Sequence, residues 1–365
     1  MRVGIPKEIK SFEYRVGMTP DGIAQVISRH KEAQFFVEHG AGEGSGFSDK
    51  NYEEAGAVLV STAQDLYASS DLVVKVKEPQ PSEYTYIRAE HTVFTYFHFA
   101  SSLGLTKAMI ESEATCIAYE TVQKADGSLP LLTPMSEVAG RLSIQQGAKY
   151  LEKAFGGKGK LLGGIPGVMP AKVMIIGGGV VGTQAAKMAA GLGARVFIFE
   201  LNPQRVRLLQ DLLPANVVVL YASQGLITAH LQDADLVIGA VLIPGAQAPK
   251  VVTREMLKVM ERGSVLVDVA IDQGGCFETS RPTSHVEPVY MEEGMLHYCV
   301  PNMPGAVPQT STLGLTYNTL PYIEKIVMLG TEAALKADAE LQRGLSIQNG
   351  NILDVQVAKF YNKYK

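Results

Sequence analysis

Four ionisable side chains stand where they could do chemistry, and each admits a plainer reading. Lys75 lies inside the apolar run Val73-Val74-Lys75-Val76. An ammonium there must either snorkel past the strand end or serve a buried anion, because an unpaired buried charge is costly. His98, in Phe94-Thr95-Tyr96-Phe97-His98-Phe99, has the pattern of a hydrogen-bonded core histidine, yet imidazole also exchanges protons near neutral pH. Arg15 follows the first strand in a polar loop with Lys7, Glu8 and Glu13, where position alone suggests a solvated surface charge. Asp272 comes just after the strand Val265–Ala270 and before Gln273-Gly274-Gly275-Cys276. That is an ordinary place for a turn residue and also the place for a site residue in a doubly wound sheet. Asn302 and Met303 occupy a similar position. If the strands carrying Lys75 and His98 adjoin in a parallel sheet, a cationic anchor and a proton-exchanging group would share one crevice. No serine–histidine–acid pattern and no metal-ligand spacing accompanies them.

The other chemical feature is a glycine turn. Val173-Met174-Ile175-Ile176 reads as a buried parallel strand, and Gly177, Gly179 and Gly182 follow as G-x-G-x-x-G. A helix is expected over Gln184–Leu192, then a second strand over Arg195–Phe199 that closes on Glu200. The first glycine permits the turn, the second lets a pyrophosphate approach the backbone, and the third packs helix on strand. The helix start offers N–H groups to phosphate, and the acid can hold ribose hydroxyls. Glu200 would repel a 2′-phosphate, which favours NAD over NADP; Arg205 and Arg207 a little further on are the opposing signal.

The elements that must position these groups are α/β throughout. A chain of 365 residues, 46% hydrophobic and 19% charged, can bury a large core and form two domains. A formal charge of −4 argues against a nucleic-acid or basic membrane-binding surface. The opening residues lack an apolar export signal, and the run Leu236–Gly245 is too short to cross a bilayer, so a cytoplasmic protein is expected. Cys116, Cys276 and Cys299, an odd set without metal-type spacing, read as buried thiols in a reducing compartment. Strands are expected at Arg2–Ile5, Gln34–Glu38, Val58–Val60, Asp71–Lys77, Thr92–Phe99 and Thr115–Val122, with a helix started by Thr19-Pro20-Asp21. The glycine-rich stretch Ala41–Gly46 lacks a strand–loop–helix frame and reads as a structural turn. A long helix starting near Pro134 leads into the second domain, where strands are expected at Val217–Leu220, Leu236–Ala240 and Val265–Val269. From Val307 the pattern is helical, so the tail should pack back on the first domain. The expected organisation is a discontinuous domain, 1–133 with 307–365, and a dinucleotide-binding domain, 134–306. Both would be Rossmann-like, doubly wound parallel-sheet domains with a cleft between them.

The segments RVGIPKEIK, EYRVGMTP, VVKVKEP, FTYFHFA, TPMSEVAGR, the glycine turn, VLVDVAIDQGGCFE and CVPNMPGAVPQTST together resemble the alanine dehydrogenase family over essentially the full length. That family is related to the nucleotide-binding part of proton-pumping transhydrogenase; Glu200 stands where its members frequently have aspartate. The resemblance implies reversible conversion of L-alanine, NAD and water to pyruvate, ammonium and NADH. It implies that Arg15 and Lys75 bind the substrate carboxylate with help from Asn302. His98 would be the general acid/base, and Asp272 would activate water. It also implies cofactor contacts at Gly177, Gly179, Val180, Val181, Gly182 and Glu200, and a nicotinamide pocket lined by Met135 and Ser136. Ser223 would lie near the adenine, and Val241, Leu242, Ile271, Asp272 and Met303 would complete the cofactor site. A homo-hexamer is implied as well. Three alternatives share these features: a transhydrogenase subunit, a non-catalytic NAD-binding regulator, and a dehydrogenase making a larger amino acid.

Overall fold

In the computed structural model, which describes residues 1–241 and 247–364, parallel strands alternate with helices. The first stretch runs β1 (Arg2–Ile5), α1 (Pro20–Arg29), β2 (Gln34–Glu38), α2 (Asp49–Glu54), β3 (Val58–Val60), α3 (Ala63–Ala68), β4 (Leu72–Val74), β5 (Thr92–Thr95), α4 (Leu103–Ser112) and β6 (Thr115–Ala118). α5 (Thr133–Tyr150) leads to β7 (Lys172–Ile176), α6 (Val180–Gly191), β8 (Arg195–Glu200), α7 (Pro203–Leu212), β9 (Val217–Tyr221), α8 (Gln224–Leu231), β10 (Leu236–Gly239), α9 (Arg254–Leu257), β11 (Val265–Asp268), β12 (Val289–Glu292) and β13 (Met295–Tyr298). The tail forms α10 (Pro308–Leu329), α11 (Thr331–Ala337), α12 (Ala339–Gly344), β14 (Leu345–Gln348), β15 (Asn351–Ile352) and α13 (Val355–Tyr364).

The chain divides into two compact units, Met1–Met135 with Val307–Lys365, and Ser136–Ala306. Unit 1 holds an 8-stranded sheet of order β15-β14-β6-β5-β4-β1-β2-β3, and unit 2 a 7-stranded sheet of order β12-β13-β11-β10-β7-β8-β9. In each sheet the chain starts in the middle, winds outward one way, then returns to wind the other way. The reversal falls between β1 and β4 in unit 1 and between β7 and β10 in unit 2. Ligands of doubly wound sheets bind beyond the strand ends at such a reversal.

Residue types account for the central strands. Every residue of β4, β7, β10 and β11 is buried, as expected when helices cover both faces of a parallel strand. α1 starts as expected, with the Thr19 hydroxyl accepting the Gly22 N–H and Pro20 in the first turn. The loop at Ala41–Gly46 is anchored by Ser45, whose Oγ donates to the Tyr14 carbonyl at 2.9 Å and bonds Thr312 Oγ1 of α10 at 2.8 Å, and its Ala41 and Gly44 line a cavity beside Arg15. The tail is not wholly helical. β14 and β15 form a hairpin at Asn349-Gly350, both with positive φ, and β14 pairs antiparallel with β6. The two left-handed residues suit a primed two-residue turn. The three cysteines are free and buried. Among the described residues no helix is long and apolar enough to cross a membrane.

Candidate active site

In unit 1 the loop after β1 and the end of β4 meet at the sheet reversal. Glu8, three residues past β1, accepts the N–H groups of Val76 (2.7 Å) and Lys77 (3.1 Å) on one oxygen and the Lys75 ammonium (3.2 Å) on the other. Lys75 is 0% exposed, and Glu83 Oε1 lies 2.9 Å from its Nζ. Glu83 is fixed in turn by the Tyr67 hydroxyl at 3.0 Å and the Gln80 N–H at 2.7 Å. Lys75 therefore serves buried anions and does not snorkel. Burial opposes its charge, but Glu8 and Glu83 outweigh burial and raise its pKa, so it is a fixed cation at neutral pH. Burial also raises the Glu8 carboxyl, with Lys75 offsetting part of that shift.

The surface reading of Arg15 is overturned. Its side chain is 2% exposed and Glu13 grips it side-on, with Nε to Oε1 at 2.7 Å and Nη2 to Oε2 at 2.5 Å. Nη1 reaches Met135 Sδ at 3.0 Å. A carboxylate two residues back in the same loop can fold over the guanidinium, which spacing in an irregular loop does not reveal. Burial works against the Arg15 charge, but Glu13 first, then Tyr96 and Glu8, together raise its pKa. Tyr96 and Glu8 also act on Arg15, so Arg15, Glu8 and Lys75 share one electrostatic neighbourhood. Glu8, Glu13, Tyr14, Arg15 and Gly40 line a cavity of about 180 Å³.

His98 is not a core histidine on a strand. β5 stops at Thr95, and His98 is exposed in a left-handed turn with φ 49°. Glu120 ends the strand by accepting the N–H of Phe97 at 3.3 Å and of His98 at 2.6 Å. The imidazole stacks on Tyr96, ring centroids 5.9 Å apart and planes 11° apart. A non-glycine residue held at positive φ costs of the order of 1 kcal/mol and clusters at functional sites. β4 and β5 pair in parallel, and the Lys75 N–H bonds the Phe94 carbonyl at 3.1 Å, so the strands that lead into Lys75 and toward His98 do adjoin, although both residues lie past the strand ends.

In unit 2 the glycine turn joins β7 to α6, which begins at Val180, earlier than the periodicity suggests. A Cβ on Gly182 would lie 1.8 Å from the Gly177 carbonyl oxygen, and one on Gly177 would lie 2.4 Å from the Ala240 oxygen. Gly179 faces open space and caps α6 without a side-chain bond, leaving the first helical N–H groups for an anion. Gly178, unremarked in the sequence, is needed too, because a Cβ there would meet Glu200 Oε2 at 2.8 Å and Leu209 at 2.5 Å. Glu200 ends β8 and accepts the N–H groups of Gly178, Leu201 and Asn202, each at 2.8 Å. Arg205 is half-buried and turned inward, donating to the Gly178 carbonyl at 2.6 Å and Thr183 Oγ1 at 2.8 Å. These contacts fit a pyrophosphate on the turn and ribose hydroxyls at Glu200.

The remaining positions in unit 2 are spread over its strand ends. Val180 is exposed and Val181 half-buried at the start of α6; Val241 follows β10, and Leu242 lies outside the described residues. Ser136 is half-buried on α5, and Ser223 caps α8 by accepting the Leu226 N–H at 3.3 Å. Ile271 is buried and Asp272 exposed in the turn after β11. Asn302 has φ 55°, its carbonyl accepts the Gly305 N–H at 2.9 Å, and Met303 beside it is buried.

Two doubly wound sheets, one with a glycine turn opening a helix and one with buried cations at its reversal, define a Rossmann-type α/β protein of two units. Residues 4–139 match the alanine dehydrogenase/PNT N-terminal domain and residues 143–355 its C-terminal domain. The chain belongs to the alanine dehydrogenase/PNT family. It is 50% identical over 359 residues to an alanine dehydrogenase of Mycolicibacterium smegmatis, covering 98% of this chain and 96% of that one. A solved L-alanine dehydrogenase superposes with a TM-score of 0.96 at 48% identity, covering 100% of both chains. A transhydrogenase from Sinorhizobium meliloti superposes at 0.84 with 25% identity, covering 97% of this chain and 100% of that one.

Proposed function

We propose that this chain catalyses the reversible oxidative deamination of L-alanine with NAD: L-alanine, NAD⁺ and water give pyruvate, ammonium, NADH and a proton. The observation that carries this reading is the pair of buried, fixed cations, Arg15 and Lys75, at the reversal of the unit 1 sheet. Tyr96 acts on Arg15 and stacks on the His98 ring, in a chain similar over its whole length to alanine dehydrogenases. Glu13 orients the guanidinium while Glu8 and Glu83 orient the ammonium, so the substrate carboxylate meets charges already in place and little ordering accompanies binding. Asn302 assists at the carboxylate.

His98 exchanges the proton of the substrate amine or carbonyl, as an exposed imidazole on a strained, Glu120-anchored turn can do. Asp272 takes a proton from the water that adds to the iminopyruvate carbon. The dinucleotide, when bound, supplies the hydride acceptor. Gly177, Gly179, Val180, Val181 and Gly182 would cradle its pyrophosphate. Glu200 would hold its ribose, with Ser223 on the adenine side and Met135 and Ser136 toward the nicotinamide, while Val241, Ile271, Asp272 and Met303 would complete the cofactor site. The inward turn of Arg205 supports NAD, since its guanidinium is engaged by the glycine turn. The reading further includes a cytoplasmic homo-hexamer.

The test is NADH formation by the purified chain alone, with L-alanine against larger amino acids and with NAD against NADP. Turnover with alanine and NAD is expected. NAD binding without turnover would leave a regulator or a transhydrogenase subunit, and a preference for bulky substrates would leave a related dehydrogenase.

A further inference from the structure

The turn that carries Asp272 is gripped from two sides. On the inside, the Asp268 carboxylate, 0% exposed at the end of β11, accepts the N–H groups of Ala270 (3.1 Å), Cys276 (2.8 Å) and Phe277 (3.2 Å). The Ser280 hydroxyl adds a fourth bond at 2.5 Å. On the outside, the Lys250 ammonium donates to the carbonyls of Gly274 (2.6 Å), Gly275 (2.8 Å) and Phe277 (3.1 Å). The Gly275–Cys276 peptide group thus points its N–H at the buried Asp268 carboxylate and its C=O at the Lys250 ammonium, while the N–H groups of Gly274 and Gly275 bond the Ile271 and Ala270 carbonyls. Gly274 and Gly275, at φ 88° and 75°, supply the left-handed backbone that brings those carbonyls together. A Cβ on Gly275 would lie 2.7 Å from Asp268 Oδ2, so the wrapping is close.

The segment bearing Lys250 is itself tied to the turn. The Ala248 N–H bonds the Gln273 carbonyl at 3.0 Å and the Val251 N–H bonds the Cys276 carbonyl at 2.8 Å. An exposed lysine ordinarily keeps its ammonium in water. Here all three protons have backbone acceptors within two to five residues of one acid.

We infer that Lys250 is a positioning residue for Asp272, holding the peptide turn from which that carboxylate projects. The inference rests on the reading of Asp272 as the water-activating group. Asp268 anchors the start of the turn and its return at Cys276–Phe277, while Lys250 anchors the glycines between. Without the ammonium, those glycines are the residues best able to relax, and they immediately follow Asp272 and Gln273. A displacement near 1 Å at a reacting group costs on the order of 100-fold in rate.

The test compares Lys250→Met, Lys250→Cys, Lys250→Cys after S-aminoethylation, and Asp272→Asn in the full chain. Lys250→Met should lower kcat by roughly 10- to 100-fold, the scale of a small misplacement. ADP-ribose affinity should stay near the wild-type value, because that half of the dinucleotide would rest on the β7–α6 turn. Aminoethylation of the new thiol rebuilds a side chain with an ammonium at nearly the lysine position, and should recover most of the rate lost in Lys250→Cys. It is selective because Cys116, Cys276 and Cys299 are buried. Rescue of rate by a restored charge is a result that a merely structural role in folding would not give. Lys250→Met within about twofold of wild type while Asp272→Asn is inactive would overturn the inference and leave the role of Asp272 standing. So would failure of the aminoethylated variant to recover. Full activity of Asp272→Asn would remove that role, and the inference with it.

Discussion

Lys75→Met is the most searching perturbation of unit 1, because the cation it removes sits between two carboxylates that have nowhere to go. The side chains of Lys75, Glu8 and Glu83 are 0%, 2% and 3% exposed. Taking one partner from a buried ion pair typically costs about 3–5 kcal/mol, because the remaining charge stays desolvated. Glu8 keeps two backbone N–H donors and Glu83 keeps the Tyr67 hydroxyl and the Gln80 N–H, so the lower half of that range applies. Adding Glu8→Gln to Lys75→Met removes one stranded charge and should recover about 1–2 kcal/mol, the scale of a charge-assisted bond. The deficit must also depend on pH. Burial already raises the folded-state pKa of Glu8, and losing Lys75 raises it further. A carboxyl with a raised folded pKa contributes stability that is complete below its unfolded value, near ~4.3, and lost as pH rises through the folded value. The Lys75→Met deficit should therefore shrink as pH falls from ~8 toward ~5. The chain has no tryptophan, so denaturant unfolding is followed by circular dichroism, with hydrogen exchange on β4 and β5 peptides assigning the loss to unit 1. A deficit below about 1 kcal/mol, or one independent of pH, would refute the claim that the two carboxylates depend on this cation.

Three further outcomes are expected. His98→Ala should lower turnover by roughly 10²- to 10⁴-fold with NADH affinity little changed, measured by steady-state rate and direct binding; a variant near the wild-type rate removes His98 from the chemistry. Glu200→Ala deprives three backbone N–H groups of their acceptor, so NADH affinity should fall about tenfold, the scale of one charge-assisted bond, and discrimination against NADP should relax. An unchanged NAD-to-NADP ratio of kcat/KM would mean another group reads the ribose. Asp235 is 1% exposed and pairs with Lys158 at 2.5 Å and Lys160 at 2.8 Å. Burial opposes its charge, but those lysines and the Lys172 N–H hold its pKa below the usual range. Its contribution is therefore present above the unfolded value and lost as pH falls through the folded one. Asp235→Asn should cost roughly 2–4 kcal/mol at neutral pH and less in acid, and a deficit that grows in acid would contradict that assignment.

The fold was legible where side chains alternate between covered faces and branched apolar runs. β2 and β3 have the bounds the sequence suggests, and the parallel sheets follow from the βα alternation. Strand ends were less legible because distant groups set them. The pattern continues to Phe99, but Glu120, more than twenty residues on, takes the N–H groups of Phe97 and His98 and stops the ladder at Thr95. Two hairpins had a local signal that hydrophobic periodicity overlooks. Glu293-Gly294 joins β12 to β13, and Asn349-Gly350 joins β14 to β15, all four residues at positive φ. In the candidate site, glycine spacing pointed to the turn, but the partners that set each charge were not apparent. Glu13 on Arg15, Glu8 and Glu83 on Lys75, and Lys250 on the Asp272 turn are contacts made by folding. No spacing rule connects residues 67 positions apart, as Glu8 and Lys75 are.

The pairing of β14 with β6 has a consequence for how the protein is made. Cys116 and Ile117 on β6 find their outer neighbours at Leu345 and Ile347, more than two hundred residues downstream. On a translating ribosome the N-terminal sheet must therefore wait, its β6 edge unpaired, while the whole intervening unit emerges and has time to fold. A chain stalled before Leu345 would keep that open edge, which is the kind of surface chaperones hold and aggregates recruit. Early termination should thus harm the first-made half of the protein more than the middle.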